Sequence, residues 1–181
     1  MQEFDFLVIG SGSGLDVANV AANRGQSVAV VEKGPIGGTC LNRGCIPSKH
    51  LLYHADVLET IERAGEFNID ATVEDVDFAG IVREVNEEVE ADSESIRSGL
   101  RSSSQHELFE GEGRFVDDRT VEISGGEADG ARLRADTVLI AAGTRPSVPP
   151  IDGIESVDYL TSTEALHLET PPEHLVIVGG G

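Results

Sequence analysis

The sequence predicts an α/β fold: a parallel sheet covered by helices, joined to a small antiparallel β-meander. Three observations predict it. The apolar run Phe4-Asp5-Phe6-Leu7-Val8-Ile9 stops at a glycine cluster and gives way to helical spacing; a second apolar run closes a β-α-β unit; and short strand-like pieces broken by turn residues precede a last apolar run at Thr137 to Ala142.

Each element follows from its residues. After Gly10, Gly12 and Gly14, the apolar positions Val17, Val20, Ala21 and Ala22 predict a helix that Gly25 ends, and Ser27 to Val31 then predicts a strand with Glu32 at its tip. Two parallel strands joined this way form a right-handed unit of about 30 residues, so the sheet is expected to be Rossmann-like. A helix is predicted from about Cys45 to Ala64, carrying Leu51, Leu52, Ala55, Leu58 and Ile61. From Phe78 to about Ser104, Ile81, Val85, Val89, Ile96 and Leu100 mark one stripe of a long amphipathic helix with an acidic outer face, to which no chemistry is assigned. Glu107 to Ala135, interrupted at Asp117-Asp118 and Ser124-Gly125-Gly126, is the expected meander, and Thr137 to Ala142 the expected buried strand. Pro146, Pro149 and Pro150 mark a linker, with a helical segment expected at Thr163 to Leu168. Leu175-Val176-Ile177-Val178-Gly179-Gly180-Gly181 repeats the opening strand and turn. Residues 1–150 are therefore expected to form one domain, and residues 151–181 a linker and the truncated start of another.

Composition bounds the function. Of 181 residues, 39% are hydrophobic and 25% charged, which excludes a low-complexity or collagen-like chain. No run approaches the roughly 18 to 20 apolar residues of a membrane span. Met1-Gln2-Glu3-Phe4-Asp5 has no basic segment ahead of an apolar one, so a cytoplasmic location is expected. Thirteen basic against 33 acidic residues give a net charge of −20, which disfavours nucleic acid and anionic membranes as partners. Lys33 and Lys49 are the only lysines, a pattern suited to a salt-rich cytoplasm, where a Debye length of about 3 Å at 1 M salt screens the self-repulsion. The fold is expected to loosen on desalting.

The chemistry concentrates in two places. Gly10-Ser11-Gly12-Ser13-Gly14-Leu15 fills the first two positions of a dinucleotide fingerprint: Gly10 turns the strand, Gly12 admits a pyrophosphate to the backbone, and the following helix aims its first amides at that anion. Leu15 stands where a small residue normally lets helix and strand pack, so either the helix is displaced or Gly14 takes part of that role. Glu32, 20 residues after Gly12, is placed to accept ribose hydroxyls; otherwise it is a surface glutamate. The second place is Gly37-Gly38-Thr39-Cys40-Leu41-Asn42-Arg43-Gly44-Cys45-Ile46-Pro47-Ser48-Lys49, which holds the chain's two cysteines. Their spacing brings the sulfurs together only if the helix start is distorted, and Gly44 and Pro47 favour such a distortion. A helix N-terminus and nearby cations favour thiolate. Redox chemistry, a zinc site with His50 and His54, and two inert thiols are the alternatives.

The segment from Gly37 to Lys49 resembles the active-disulfide signature of the FAD-dependent pyridine nucleotide-disulfide oxidoreductases, the family of dihydrolipoamide dehydrogenase, mercuric reductase and mycothione reductase. The resemblance implies that Cys40 is the interchange thiol, Cys45 the thiol facing the flavin and Lys49 the cation beside its ring. It places Gly38 and Thr39 along the FAD phosphates and Glu32 at the adenosine ribose, with Gly10, Gly12, Gly14 and Lys33 also among the cofactor-binding residues. Gly111-Glu112-Gly113-Arg114-Phe115 resembles the segment whose backbone, around Gly113, meets the adenine. Ile140-Ala141-Ala142-Gly143-Thr144-Arg145-Pro146 resembles the strand end that closes the FAD domain, implicating Ala142, Gly143 and Thr144. Arg43 stands at a variable position and receives no role. None of His50, His54, His106, His167 and His174 matches the family's acid/base histidine. The implied activity passes electrons from NAD(P)H through FAD and a Cys40–Cys45 disulfide to a small disulfide or dithiol such as a low-molecular-weight thiol disulfide or lipoamide, in a homodimer. A truncated, non-catalytic flavin-binding module is the alternative.

Overall fold

The computed structural model describes residues 1–179; Gly180 and Gly181, part of the expected second glycine turn, lie outside the described residues. A six-stranded sheet has the order β3-β2-β1-β6-β5-β4. Its strands are β1 (Gln2–Ile9), β2 (Val28–Glu32), β3 (His106–Glu110), β4 (Glu112–Asp117), β5 (Thr120–Ser124) and β6 (Arg132–Ile140). The helices are α1 (Gly14–Asn23), α2 (Gly38–Arg43), α3 (Cys45–Glu62), α4 (Phe78–Ser102) and α5 (Ser162–Ala165). β1 runs parallel to β2 (Val8 opposite Val30), to β6 (Val8 opposite Leu139), and β2 parallel to β3 (Val30 opposite Leu108). β4-β5-β6 form the antiparallel meander.

Alternation along the strands makes two cores. Phe6 and Val8 of β1 and Val28 and Val30 of β2 face α1, where the small residues Ala18, Ala21 and Ala22 let the helix lie close, and Leu100 of α4 seals the same layer. Leu7, Ala29, Val31 and Phe109 face the other way, against Val121, Ile123, Leu133 and Ala135 of the meander. Val28 to Val31 are all buried because both faces of β2 are covered.

Several expectations change. β3 belongs to the parallel sheet, not to the meander, and the last meander strand and the expected strand at Thr137 to Ala142 are one nine-residue strand. Asp136, exposed, does not interrupt β6: the register with β1 runs on across it, from Phe4 opposite Ala135 to Phe6 opposite Thr137. This strand end is not buried: Ile140 is 65% exposed. α3 stops at Glu62 and a 3-10 turn follows at Ala64–Phe67. The buried stripe of α4 is Val82, Val85, Val89, Ser93 and Leu100, with Ile81 and Ile96 only half-buried. Asp77 caps α4 by accepting from the Gly80 N–H at 2.8 Å. The helical segment near Thr163 is a single turn, starting at Ser162 under a Thr161/Glu164 capping box. Leu175 to Val178 form no strand and are largely exposed, since no neighbouring strand among the described residues pairs with them. No helix among the described residues is long and apolar enough to cross a membrane.

Candidate active site

Glycines at the carboxyl end of β1 shape the first part of the site. Gly10 has φ +106°, and a Cβ there would lie 2.2 Å from the Ala141 carbonyl oxygen at the end of β6. A Cβ on Gly38 would lie 2.6 Å from the Gly12 Cα, so the two glycine loops touch backbone to backbone. Gly14 carries the packing role in full: its Cβ would meet Val8 Cγ2 at 2.6 Å and Ala141 Cβ at 2.9 Å, while Leu15 turns toward the helix-side core.

Glu32 is not a free surface side chain. Its Oε2 accepts from the Ser11 N–H and Oγ–H, both at 2.8 Å, and its Oε1 accepts from the Gly34 N–H at 2.8 Å. Ser11, fully buried, also accepts from the Gly37 N–H at 3.0 Å. One hydroxyl and one carboxylate thus tie both glycine loops together. Asn42 Nδ2 donates to the carbonyls of Ile36 and Gly38, each at 2.9 Å, and the buried Ser93 hydroxyl of α4 donates to Ile36 at 2.7 Å. Ser11, Asn42 and Ser93 escaped the sequence reading, because a lone hydroxyl or amide carries no periodic signal.

Cys40 lies in α2 and Cys45 opens α3. Between them Gly44 breaks the helix (φ −146°, ψ −112°), and a Cβ there would lie 2.9 Å from the Thr39 carbonyl oxygen. The chain therefore doubles back as the spacing required. Both cysteines are exposed free thiols, and a hydrogen bond to Cys45 is the main cause that holds the Cys40 thiol above its ordinary range, with Lys49 opposing. At Cys40 the neighbouring sulfur thus outweighs the cation. Lys49 is exposed one helical turn after Cys45, and Thr39 is exposed next to Cys40. His50 Nδ1 pairs with Glu88 Oε2 of α4 at 3.0 Å and His54 Nδ1 meets the His50 carbonyl at 2.8 Å, so neither joins the cysteines. No group of three or more metal-ligating side chains among the described residues could hold an ion, and the zinc alternative lacks its ligand set.

The remaining candidates are placed as follows. Lys33 Nζ meets Glu112 Oε1 at 2.9 Å, and this hydrogen bond lowers the Glu112 carboxyl below its usual range, with Arg145 adding to it. Gly113 is half-buried; a Cβ would lie 3.0 Å from Val31 Cγ1, so its bareness lets the meander settle on β2. Ala142, Gly143 and Thr144 are exposed beyond β6, and Ala141 is the residue that touches Gly10 and Gly14. A groove of about 1020 Å³ lies at the carboxyl ends of β2 and β3, with neither thiol in its lining. It joins the glycine site at Glu32 and is walled by Arg43, Ser93, Arg97, Gly111 and His167. Arg97 is held there by Glu110 at 3.0 Å and Glu94 at 2.5 Å.

Comparison with known proteins places this arrangement. The chain is 39% identical over 180 residues to mercuric reductase of Streptomyces lividans, matching 98% of this chain and 38% of that protein. It is 34% identical to mycothione reductase of Mycobacterium tuberculosis over 186 residues, matching 100% of this chain and 39% of that protein. The Cu(II) complex of the HOCl-induced flavoprotein disulfide reductase RclA from Escherichia coli superposes with a TM-score of 0.77 at 25% identity, covering 93% of this chain and 35% of RclA. The chain thus spans under two-fifths of the length of these proteins. The model of the pyridine nucleotide-disulphide oxidoreductase family matches residues 4–181, and with the glycine loops and paired thiols in place the chain belongs to that family.

Proposed function

We propose that the chain is the FAD-binding part of a flavoprotein disulfide oxidoreductase. Residues 1–150 would hold the flavin nucleotide, and residues 151–181 would lead into a nicotinamide-binding domain. The single observation that carries the reading is the pair of free, exposed thiols on either side of the Gly44 break, beside a glycine cradle.

The residues present fit FAD. Gly12 and Gly38 present bare backbone before the first turn of α1, where an N-terminus favours phosphate. Glu32 is held fixed at the end of β2, placed for a ribose, with Lys33 beside it. Gly10, Gly14, Thr39, Gly113, Ala142, Gly143 and Thr144 would complete the nucleotide site, and Lys49, whose charge acts on Cys40, would stand beside the flavin ring. FAD, when bound, supplies the two-electron carrier between NAD(P)H and the sulfurs.

The protein's own step is thiol–disulfide exchange. Cys40 gives up its proton, and its thiolate attacks one sulfur of a small disulfide, forming a mixed disulfide and releasing the first substrate thiolate. Cys45, as thiolate, then attacks Cys40 Sγ, releasing the second substrate thiolate. Two electrons pass to the substrate and leave a Cys40–Cys45 disulfide. A low-molecular-weight thiol disulfide or lipoamide fits this chemistry, and the complete enzyme would act as a homodimer in the cytoplasm.

The test is reconstitution of the whole chain with FAD. Retained visible flavin absorption after desalting, with two titratable thiols that disappear together on mild oxidation, is the expected result. Absence of bound flavin at saturating FAD overturns the reading. Bound flavin with no reduction by NADH or NADPH marks a non-catalytic flavin-binding module.

A further inference from the structure

Arg43, left without a role by its sequence position, stands on the wall of the 1020 Å³ groove. Lys33 and Arg97 on the same groove are each neutralised by glutamates, whereas Arg43 pairs with no carboxylate among the described residues. Glu32, across Gly34 from it, is already engaged by three hydrogen bonds from Ser11 and Gly34. Gly34 separates the two. A methyl built on Gly34 would sit 3.5 Å from Arg43 Nη2 and 3.5 Å from Glu32 Oε1, so its hydrogen leaves a slot with a guanidinium on one side and a carboxylate on the other. Asn42, the preceding residue, is bonded to Ile36 and Gly38, which fixes the stem from which Arg43 reaches out.

We propose that Arg43 recognises the adenosine half of FAD, forming with Glu32 a two-sided clamp across Gly34; this rests on the flavin reading above. A carboxylate accepts ribose hydroxyls, and a guanidinium offers a flat face to a purine and donors to its ring nitrogens. Lysine has the charge without the plane, so the position is specific to arginine.

The experiment measures binding of FAD, ADP and FMN to the full chain by calorimetry and flavin fluorescence. Arg43 is exposed, so Arg43→Met is expected to keep the melting temperature of the ligand-free chain while weakening FAD and ADP alike by about tenfold and sparing FMN. Arg43→Lys is expected to recover only part of the loss. Gly34→Ala gives an independent arm: φ at Gly34 lies outside the left-handed region and its methyl would make ordinary contacts, so the fold is kept while the slot is filled and FAD weakens. Parent-like FAD and ADP affinity in Arg43→Met overturns the clamp and leaves the flavin reading standing. A loss for FAD without one for ADP, or an equal loss for FMN, also overturns it. A parent chain that binds neither FAD nor ADP overturns both.

Discussion

Ser11 shows how much one atom can organise. Its buried Oγ donates to Glu32 and accepts from Gly37, so Ser11→Ala strands an amide and removes one of the carboxylate's donors. The expected loss is about 1–3 kcal/mol in chemical denaturation, with a fold that remains native by circular dichroism. Gly14→Ala acts by the opposite route, forcing a methyl to within 2.6 Å of Val8 Cγ2, and overpacking of this kind costs about 1–3 kcal/mol. At Cys40 the effect is on proton affinity. Its folded thiol is raised by Cys45, so the linked stability is complete below the ordinary thiol range and is lost as pH climbs through the raised value. Cys45→Ala removes the cause, and the pH midpoint for alkylation of Cys40 is expected to move down; an unmoved midpoint would mean that the two sulfurs are not coupled. The glycines and cysteines of the site were legible because each answers a spacing. Ser11, Asn42 and Ser93 were not, since their partners lie 21, 6 and 57 residues away in sequence or on a turn whose path only the fold defines.

Among the elements, β1, α1 and β2 could be read directly, because the apolar period changes from run to helix to run within about 30 residues. β3 was recognised as a strand but assigned to the wrong neighbours: a five-residue strand has the same alternation whether its partner is parallel or antiparallel. The choice is made by β2, whose two faces are both covered and whose free edge β3 completes. Leu175 to Ile177 repeat Leu7 to Ile9 of β1 and yet form no strand, since extended backbone needs a neighbour for its N–H and C=O groups. α4 held its predicted span to within two residues, and its stripe admits a serine because Ser93 is spent on Ile36. Ser93→Ala is accordingly expected to cost about 1 kcal/mol and to loosen the Ile36–Gly38 turn, seen as faster amide exchange at Gly37 and Gly38.

For the whole molecule, charge is the governing quantity. A net charge of −20 on 181 residues acts against compaction wherever it is unscreened. The melting temperature is therefore expected to rise with salt up to about 1 M, where the Debye length falls to about 3 Å, and a melting temperature independent of salt would refute this account. The two-layer core and the glycine cradle were visible in sequence as a class of fold. The covering of the sheet was not, because apolarity at Ile140 states a preference for burial and not the presence of anything to bury it.

The break at Gly44 carries one more implication. Cys40 and Cys45 stand on separate helices, α2 and α3, joined at the Gly44 break, and α2 is fastened to the cradle through Asn42. Opening or closing a bond between the sulfurs can be absorbed by torsion at that joint, as a knee bends without moving the hip. The glycine cradle would then keep one shape whichever state the two sulfurs are in.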